Sequence, residues 1–390
     1  MKILQVASFF KPSWEAGGTV RVCYEISKKL VERGHKVTVY TTDGFKYRLK
    51  VRKNRPIYVD GITVYYFRNI SSFLAAKNIC LPYFLPHIAK KELNKFDIIH
   101  MHTFRGPMAI PVFYYAKRYN VPYIIQPHGS LKITTKKELK KVYDKFFGYN
   151  ILKNAFKLIA LTETEAEQYI KMGMGGDKVE IVPNGINPSE YENLPEKGTF
   201  RKKYGIKDNE KIILYVGRLH KSKGIDLLLN AFSINLKETE NIKLVLVGPD
   251  DGYKMDLLNL SQRLNLMGEI IFTGFVSRVE KLAAYVDADV FVTPKFSGFP
   301  VTFLEAMAVG IPIITTNRGD KLGWLDKKVG YVTNYNAEDM AEAIYKVIDN
   351  NSLRKKFYEN AQKLIREEFN WEKITQKIET IYCKYWERVK

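Results

Sequence analysis

Short apolar segments alternate with longer amphipathic ones along most of the chain, and this alternation predicts parallel strands joined by helices. The apolar segments that predict strands are residues 3–7, 37–40, 97–101, 123–126, 158–161 and 179–182, followed by residues 212–216, 244–247, 270–273, 290–293 and 311–315. Asp60 and Gly61 lie between two further β-rich runs and predict a hairpin. The fold class that follows is α/β, with two doubly wound, Rossmann-like domains.

A break in the alternation marks a domain boundary. The pattern stops at Pro183-Asn184-Gly185, and the polar stretch from there to about residue 208 is typical of a linker. We therefore predict an N-terminal domain over residues 1–185 and a C-terminal domain over residues 186–368. The helical, aromatic segment 369–390 is expected to pack back on the N-terminal domain.

Length and cysteine content agree with a two-domain protein of a reducing compartment. The 390 residues exceed what one hydrophobic core usually supports. Cys23, Cys80 and Cys383 lie far apart, which indicates neither a disulfide framework nor a zinc or redox motif. The first apolar run is too short for a signal peptide, and no stretch approaches the roughly 20 apolar residues that span a bilayer. These features predict a cytoplasmic protein.

The net charge of +20 is concentrated in the first half of the chain. Residues 1–185 have 31 Lys and Arg against 14 Asp and Glu, a net of +17, whereas residues 186–390 have 31 against 28, a net of +3. Basic side chains are dense at residues 46–55 and 136–145. They favour peripheral attachment to an anionic membrane surface, and a solvated lysine-rich surface is the equally good alternative. No nucleic-acid-binding module is recognisable, so nucleic acid is not an expected partner.

Ligands of doubly wound sheets bind beyond the carboxyl ends of the strands, and candidate groups follow two of the predicted strands. Gly17 and Gly18 would let a ligand approach the backbone and the N–H groups of the next helix, although glycine pairs are also common in turns. Arg218 and Lys223 follow strand 212–216, and a guanidinium with an ammonium suits a diphosphate without a metal ion. An ordinary cationic surface loop is the alternative.

The loop after strand 290–293 is a third candidate. A helix is predicted to begin near Val301, after the turn at Gly298, so its first N–H groups suit a phosphate. Glu305 lies one turn further along this helix. It can accept hydrogen bonds from ribose hydroxyls, or it can stabilise the helix dipole as a first-turn carboxylate.

Three histidines of the first half of the chain lie on or just after predicted strands. His128, in Gln126-Pro127-His128-Gly129, is the best polar candidate, and a structural histidine is the alternative. His100 and His102 share one face of a strand, but without a third ligand nearby a metal site is not expected. Asp287-Ala288-Asp289 looks like a metal-binding pair. Because it precedes strand 290–293, we interpret it as a helix-to-strand connection.

Taken together, these motifs resemble the GT-B nucleotide-sugar glycosyltransferases, specifically the retaining family 4, also called glycosyl transferases group 1. The likeness covers essentially the whole chain. It is carried by Gly17-Gly18, His128-Gly129, residues 182–186, Gly217-Arg218 with Lys223-Gly224, and the stretch from Gly298-Phe299 through Glu305 to Pro312. The resemblance implies that two domains face each other across a cleft, with the acceptor side N-terminal and the nucleotide-sugar donor side C-terminal.

The resemblance also implies a role for each candidate residue. The implied donor-binding residues are Gly18, Arg218, Lys223, Val301, Thr302 and Glu305, and the implied sugar-contacting residues are Ser297, Gly298 and Phe299. His128 is the implied catalytic residue, reaching the transferred sugar from the N-terminal domain. The resemblance implies no metal ion or other cofactor, and retention of configuration at the anomeric carbon.

One position departs from the family pattern, which has two glutamates separated by seven residues. Glu305 matches the second glutamate, but Ser297 occupies the place of the first, which contacts the donor sugar in the family. A serine supplies no charge, so the identity of the transferred sugar is left open. A general base or nucleophile at this position is excluded. A front-face mechanism, in which the leaving phosphate assists deprotonation of the acceptor, is compatible with the serine.

The expected function is transfer of a hexose or related sugar from a nucleotide-diphosphate-sugar to a lipid-linked or polysaccharide acceptor, on the cytoplasmic face of a membrane. A nucleotide-sugar epimerase on the same fold is the alternative enzyme, but it needs carboxylates that Ser297 does not supply. A catalytically silent nucleotide-sugar-binding protein is a further alternative. The base, sugar and acceptor are not indicated, because a few variable loop residues select them.

Overall fold

A computed structural model describes residues 1–133, 137–238 and 241–389 of the chain. Its strands are β1 Lys2–Val6, β2 Lys36–Thr42, β3 Pro56–Val59, β4 Ile62–Phe67, β5 Ile98–Met101, β6 Tyr123–Ile125, β7 Lys157–Ala160, β8 Val179–Ile181, β9 Lys211–Val216, β10 Ile242–Val247, β11 Ile270–Gly274, β12 Val290–Thr293, β13 Ile313–Thr316 and β14 Gly330–Thr333.

The α-helices alternate with these strands. They are α1 Gly18–Glu32, α2 Ser72–Ala76, α3 Leu85–Glu92, α4 Ala109–Arg118, α5 Lys137–Tyr143, α6 Tyr149–Lys153, α7 Glu163–Lys171, α8 Thr199–Tyr204, α9 Ile225–Glu238, α10 Lys254–Arg263, α11 Arg278–Asp287, α12 Val301–Val309, α13 Ala337–Ile348, α14 Asn351–Glu367 and α15 Trp371–Val389. A π-helical turn, Asp144–Gly148, lies between α5 and α6.

The chain divides into two compact units. Unit 1 comprises Met1–Gly185 together with Trp371–Lys390, and unit 2 comprises Ile186–Asn370. The chain therefore leaves unit 1 once, directly after Gly185, and returns to it through α15.

The sheet of unit 1 has the strand order β3-β4-β2-β1-β5-β6-β7-β8. All neighbours pair in parallel except β3 and β4, which form the antiparallel hairpin predicted at Asp60-Gly61. The chain winds outward from β1 to β2 and β4, and then crosses to β5 on the other side of β1. The loops after β1 and β5 therefore lie side by side, at the switch point where such sheets bind ligands.

The sheet of unit 2 has the order β11-β10-β9-β12-β13-β14, and every pair in it is parallel. Its central strands are buried on both faces, which explains their unbroken apolar sequences. The switch point here lies between β9 and β12. The two loops that carry the candidate phosphate-binding groups follow these two strands, so the topology brings them together.

Helix α15 packs on unit 1 through an apolar stripe at helical spacing. Trp371, Ile374, Ile378 and Tyr382 join the same buried cluster as Ile3 of β1. Arg33 adds ion pairs from the end of α1 to Glu372 and Glu379. The last helix of the sequence is therefore part of the core of the first unit.

The structure confirms that the protein has the α/β class with two parallel-sheet domains. One strand, β14, was not predicted from the sequence. It is an edge strand that is mostly half-exposed and begins at a glycine, so it lacks the buried apolar run by which the other strands are recognised.

Candidate donor and sugar sites

Two glycines let the loop after β9 pack closely against the loop after β10. Gly248, after β10, has φ = 147°, and a Cβ atom on it would lie 1.9 Å from the carbonyl oxygen of Gly217. Only glycine permits this close approach of the two loops. The Leu219 N–H donates to the Pro249 carbonyl at 2.9 Å, which completes the connection.

Arg218 and Lys223 lie close enough in this loop for their charges to interact. The Arg218 guanidinium pairs with Asp251, and both side chains are exposed. Lys223 ends a 3₁₀ turn just before α9 and is half-buried. Burial lowers the pKa of Lys223, and the nearby positive charge of Arg218 lowers it further. Two neighbouring cations are stabilised by an anion beside them; Asp251 is such an anion for Arg218, and a bound phosphate would be a second one.

Helix α12 begins at Val301, as predicted, in the loop after β12. Its N-cap residue is Pro300, which provides no side-chain cap, and the first N–H groups of a helix have no partner within the helix. Val301 and Thr302 are only half-buried. The first N–H groups of α12 therefore suit a phosphate, and their loop and the Arg218 loop follow the paired strands β12 and β9.

Ser297 is exposed, and Gly298 next to it has φ = 68° in the left-handed region. The Gly298 N–H donates to Oδ2 of Asp320 at 3.1 Å. Asp320 comes from the loop after β13, the next strand of the sheet. A carboxylate from a distant part of the sequence thus lies beside the position where the serine replaces the expected glutamate.

The side chain of Phe299 has a packing role that sequence reasoning missed. It is 5% exposed, and its ring lies 5.5 Å from that of Trp324 and 5.4 Å from that of Phe369. The ring is therefore committed to an aromatic cluster. A sugar contact from this residue would have to come from its backbone.

Glu305 is buried in α12 and engages two side chains of α11. Lys281 Nζ donates to its Oε1 atom at 2.6 Å, and the Tyr285 hydroxyl lies 3.2 Å from its Oε2 atom. Glu305 is the fifth residue of the helix, so it lies beyond the first turn where the dipole effect acts. The first-turn alternative is wrong for this reason. The sequence contained no signal for the partnership with Lys281.

Gly17 and Gly18 lie at the switch point of unit 1, where β1 leads into α1. Gly17 is the N-cap with φ = 105°, and a Cβ atom on either glycine would meet open space. Both residues are exposed. The start of α1 is therefore accessible to a ligand. A side chain at Gly17 would have room, but it would be disfavoured by the positive φ angle of this residue.

His128 occupies a tight turn after β6, with φ = 52° in the left-handed region. This conformation is uncommon for a residue with a Cβ atom. The turn is held by Glu165, whose Oε1 atom accepts a hydrogen bond from the Gly129 N–H at 2.6 Å. Thr162 caps α7 by accepting a hydrogen bond from the Glu165 N–H.

The His128 ring belongs to a stack of three imidazoles, together with the rings of His100 and His102 from the neighbouring strand and its end. The ring centroids are 4.3 Å apart for His100 and His102 and 5.2 Å apart for His102 and His128. Burial lowers the pKa of His100 and His128 to about 3, and the pKa of His102 is also lowered. All three rings are therefore neutral at pH 7. This cluster was missed, because its members come from separate strands.

Arg105 fastens the chain that follows the His128 turn. Its guanidinium pairs with Asp144 of the π-helical turn at 2.7 Å and also donates to the carbonyls of Ser130 and Leu131. Both partners of the ion pair are buried. The helical segment 137–153 is thus tied to the loop that contains His128.

The outer surface of this segment combines apolar and basic side chains. Leu139, Val142, Phe146 and Phe147 are between 40% and 63% exposed, so they are not core residues. Lys137, Lys141 and Lys145 are exposed among them, and Lys136 lies outside the described residues. We call residues 137–149 the basic apolar surface.

The described ranges contain neither a cluster of metal ligands nor a membrane-spanning helix. Residues 1–133, 137–238 and 241–389 contain no group of three or more His, Cys, Asp or Glu side chains that could hold a metal ion. Within the same ranges, no helix is long and apolar enough to cross a membrane.

Asp287 caps the start of α8 by accepting hydrogen bonds from the N–H groups of Gly198 and Phe200, which agrees with the interpretation of Asp287-Ala288-Asp289 as a structural connection.

Comparison with protein families matches nearly the whole chain. The model described as Glycosyltransferase Family 4 matches residues 16–190, and that described as Glycosyl transferases group 1 matches residues 196–364. The chain belongs to glycosyltransferase family 4. The first match covers the His128 turn of this glycosyltransferase, and the second covers the loops after β9 and β12.

Individual relatives cover most of the glycosyltransferase. An uncharacterized glycosyltransferase of Methanocaldococcus jannaschii is 28% identical over 98% of each chain. The UDP-Gal:alpha-D-GlcNAc-diphosphoundecaprenol alpha-1,3-galactosyltransferase of Escherichia coli is 27% identical over 81% of each. The crystal structure of Anabaena Alr3699/HepE in complex with UDP is similar with a TM-score of 0.77 and 18% identity, over 98% of this chain and all of that one. The GT-B fold is therefore confirmed.

Proposed function

We propose that this glycosyltransferase transfers a hexose or related sugar from a nucleoside-diphosphate-sugar to a lipid-linked or polysaccharide acceptor, with retention at the anomeric carbon. The observation that carries the proposal is that the loop with Arg218 and Lys223 and the loop that leads into α12 follow two neighbouring strands, β9 and β12, at the switch point of unit 2. Two cations and free helix N–H groups are what a diphosphate requires when no metal ion takes part. The match to family 4 directs this anion site towards a sugar donor.

The ribose and the sugar would be bound by the residues next to the diphosphate. Glu305 is the proposed ribose acceptor, with Lys281 holding one of its oxygens in place. Ser297 and Gly298 are proposed to line the sugar, where Asp320 supplies the carboxylate that Ser297 lacks. Gly18 and His128 keep the donor-binding and catalytic roles that the family resemblance implies for them. In this arrangement no side-chain nucleophile is needed, and the leaving phosphate assists deprotonation of the acceptor.

The ligands of the Anabaena structure and the name of the Escherichia coli galactosyltransferase indicate which donor and acceptor to propose first. The Anabaena protein was crystallised with UDP and with UDP-glucose, and the name of the Escherichia coli enzyme specifies a diphosphoundecaprenol acceptor. We infer a UDP-sugar donor as the first choice, and a lipid-linked acceptor at a membrane surface. The net charge of the first half of the chain and the basic apolar surface of unit 1 support this location.

The epimerase and the silent binding protein remain distinguishable by experiment. Purified protein is first screened with UDP, GDP and their sugars for thermal stabilisation, since a bound nucleotide stabilises the folded state by mass action. The stabilising sugar nucleotide, radiolabelled in its sugar, is then incubated with membrane extract. Transfer of label to the lipid phase supports the proposal. Isomerised nucleotide-sugar indicates an epimerase, and binding without turnover indicates a silent protein.

The role of Asp320 is tested in the same assay. We expect Asp320→Asn to reduce use of the sugar nucleotide while leaving affinity for the nucleoside diphosphate unchanged, because the carboxylate, which also accepts from the Gly298 N–H, is proposed to contact the sugar and not the nucleotide. Lys295→Ala, an exposed change in the loop after β12 that also contains Ser297 and Gly298, is the control. An equal loss for nucleotide and sugar nucleotide would show that Asp320 only shapes the loop.

A further inference from the structure

The loops that follow β12 and β13 of unit 2 are in close contact with each other. A Cβ atom on Gly319 would overlap the ring of Phe296, so the backbone of the second loop lies directly against a side chain of the first. The Gly298 N–H donates to the Asp320 carboxylate at 3.1 Å and adds a second contact. Residues 317–321 are therefore held beside the loop that is proposed to line the sugar.

Arg318 lies in this second loop, and its side chain is exposed. The carbon atom of its guanidinium lies 5.6 Å from the centre of the Tyr335 ring, which is a cation–π contact. Its side chain forms no ion pair with a carboxylate in the part of the chain that the structure describes. An arginine is always charged and has five N–H donors. The tyrosine ring therefore orients a cation that has no anionic partner among the described residues.

Tyr335 also relates Arg318 to the loop that carries the diphosphate candidates. The Tyr335 hydroxyl oxygen lies 2.7 Å from the place that a Cβ atom on Gly224 would occupy, and Gly224 directly follows Lys223. One aromatic ring thus separates Arg318 from the proposed diphosphate loop. Arg318 is a third cation at the carboxyl ends of the strands of unit 2, on the side of the proposed sugar loop.

The charge of the two loops favours an anionic group on the sugar. Residues 294–300 and 317–321 contain three basic residues against one acidic residue, a net of +2. Ser297 is exposed and uncharged, so it does not repel a carboxylate. A neutral hexose offers only hydroxyl groups and gives an arginine no charge to pair with. A carboxylate, in contrast, accepts two parallel hydrogen bonds from a guanidinium.

We propose that the transferred sugar is a hexuronic acid and that Arg318 binds its carboxylate. The proposal depends on the proposed function, since it requires that the sugar lies beside Ser297. Asp320 then accepts hydrogen bonds from hydroxyls of the sugar ring, and the planar guanidinium of Arg318 pairs with the carboxylate at C6. Tyr335 is a positioning residue, because its ring orients the guanidinium. Arg318 thereby selects among donors that share one nucleotide.

Two sugar nucleotides that differ in a single group test this selection. UDP-glucuronic acid and UDP-glucose share the base, the diphosphate and the ring configuration, and differ only in a carboxylate that replaces a hydroxymethyl group. Titration calorimetry on the full-length protein measures the affinity for both and for UDP. We expect UDP-glucuronic acid to bind about 10- to 100-fold more tightly than UDP-glucose, which is the effect of one charge-assisted contact.

UDP-galacturonic acid and UDP-galactose form a second matched pair, with the other configuration at C4. A preference for the acid in either pair supports the proposal. Equal or weaker binding of the acid in both pairs would overturn it.

Variants of one side chain show whether Arg318 is the cause. Arg318→Ala should remove the preference for the acid and leave the affinities for UDP and for the neutral sugar nucleotide unchanged. Arg318→Lys keeps the charge but loses the planar fork, so it should keep only part of the preference. Lys295→Ala removes an exposed cation from the neighbouring loop and is the matched control, which should keep the full preference.

Two results would overturn the assignment to Arg318. The first is a preference for the acid that persists in Arg318→Ala. The second is an equal loss of preference in Lys295→Ala and Arg318→Ala, which would indicate a general attraction by positive charge and no bound carboxylate.

The same titrations separate a failure of this proposal from a failure of the proposed function. Binding of UDP and UDP-glucose without a preference for either acid contradicts the hexuronic acid alone. If neither UDP nor any of the four sugar nucleotides binds, the proposed UDP donor is wrong and the hexuronic acid is rejected with it. Sugar transfer in membrane extract gives a second readout. In Arg318→Ala, the kcat/KM for the preferred acid should fall about 10- to 100-fold, and that for its neutral counterpart should not change.

Discussion

The carboxylate of Glu165 accepts hydrogen bonds from the Gly129 N–H at 2.6 Å and from the Leu161 N–H at 2.8 Å. One buried side chain at the start of α7 therefore holds the turn that presents His128. The left-handed conformation of His128 is unfavourable in isolation, and this carboxylate offsets its cost.

The first prediction concerns that carboxylate. Glu165→Gln replaces one acceptor oxygen by an NH₂ group that faces an N–H donor, so one hydrogen bond is lost and a buried donor is left unpaired. We expect a loss of about 1–3 kcal/mol in the free energy of unfolding, measured by urea denaturation, together with reduced sugar transfer. Thr162→Ala removes the helix cap at the same turn but keeps the Glu165 carboxylate, and is the control. If both variants keep full transfer activity, the turn does not depend on Glu165.

The second prediction concerns the diphosphate. Arg218→Ala and Lys223→Ala each remove a charge-assisted contact of roughly 1.5–3 kcal/mol, which corresponds to a 10- to 100-fold weaker binding of UDP. Lys221→Ala, an exposed change in the same 3₁₀ turn, should have little effect. Titration calorimetry measures all three affinities. Parent-like binding in both Arg218→Ala and Lys223→Ala would rule out this loop as the donor site.

The third prediction separates ribose binding from helix stabilisation at Glu305. Glu305→Gln keeps the size of the side chain but weakens both the contact with Lys281 and acceptance from ribose hydroxyls. We expect weaker binding of UDP and little change for inorganic pyrophosphate, which has no ribose. Lys281→Met tests the positioning role and should show the same preference with a smaller magnitude. Equal losses for the two ligands would contradict ribose recognition.

The fourth prediction concerns attachment to anionic membranes through the basic apolar surface. Leu139→Glu and Phe146→Glu place a negative charge among exposed apolar side chains that are 62% and 63% exposed. The parent protein should co-sediment with anionic vesicles and not with neutral ones, and should be released as salt screens the attraction. Phe73→Glu, at a residue that is 66% exposed elsewhere in unit 1, is the control. Identical sedimentation of the three variants would show that this surface does not bind the bilayer.

The fifth prediction concerns stability at acid pH. His100 and His128 have folded-state pKa values of about 3 against an ordinary value of 6.5. Below pH 6.5 the unfolded chain therefore binds protons that the folded protein excludes, and stability falls by up to about 1.4 kcal/mol per pH unit for each such histidine. This contribution is fully present above pH 7 and decreases as the pH falls towards 3.

Urea denaturation between pH 7 and pH 5 measures this slope, in a range above the titration of ordinary carboxylates. His102→Gln should flatten the dependence, because it removes one member of the cluster. His87→Ala, at an exposed position, should leave it unchanged. A parent protein whose stability is constant over this range would contradict neutral, buried histidines.

Features that depend on neighbouring residues could be predicted from the sequence. The period of apolar positions indicated eleven of the parallel strands, the Asp60-Gly61 pair indicated the hairpin, and the start of α12 at Val301 followed from the turn residues before it. The placement of Arg218 and Val301 at one sheet edge also followed, because the carboxyl ends of parallel strands share an edge. These inferences need only local backbone preferences and the general rules of α/β folds.

Contacts between distant segments were decided by the tertiary structure. Gln5, His102, His128 and Tyr382 meet because β1 and β5 are neighbours in the sheet and α15 covers its face, and no spacing in the sequence records this. Lys281 and Glu305 likewise come from separate segments, helices α11 and α12, and meet only in the folded chain. The sequence also did not decide which apolar side chains are exposed. An apolar residue such as Phe146 fits a core and a surface equally well until its neighbours are known. The sequence by itself determined the elements and most of the candidate residues, whereas the order of the strands determined which of these residues hold one another in place.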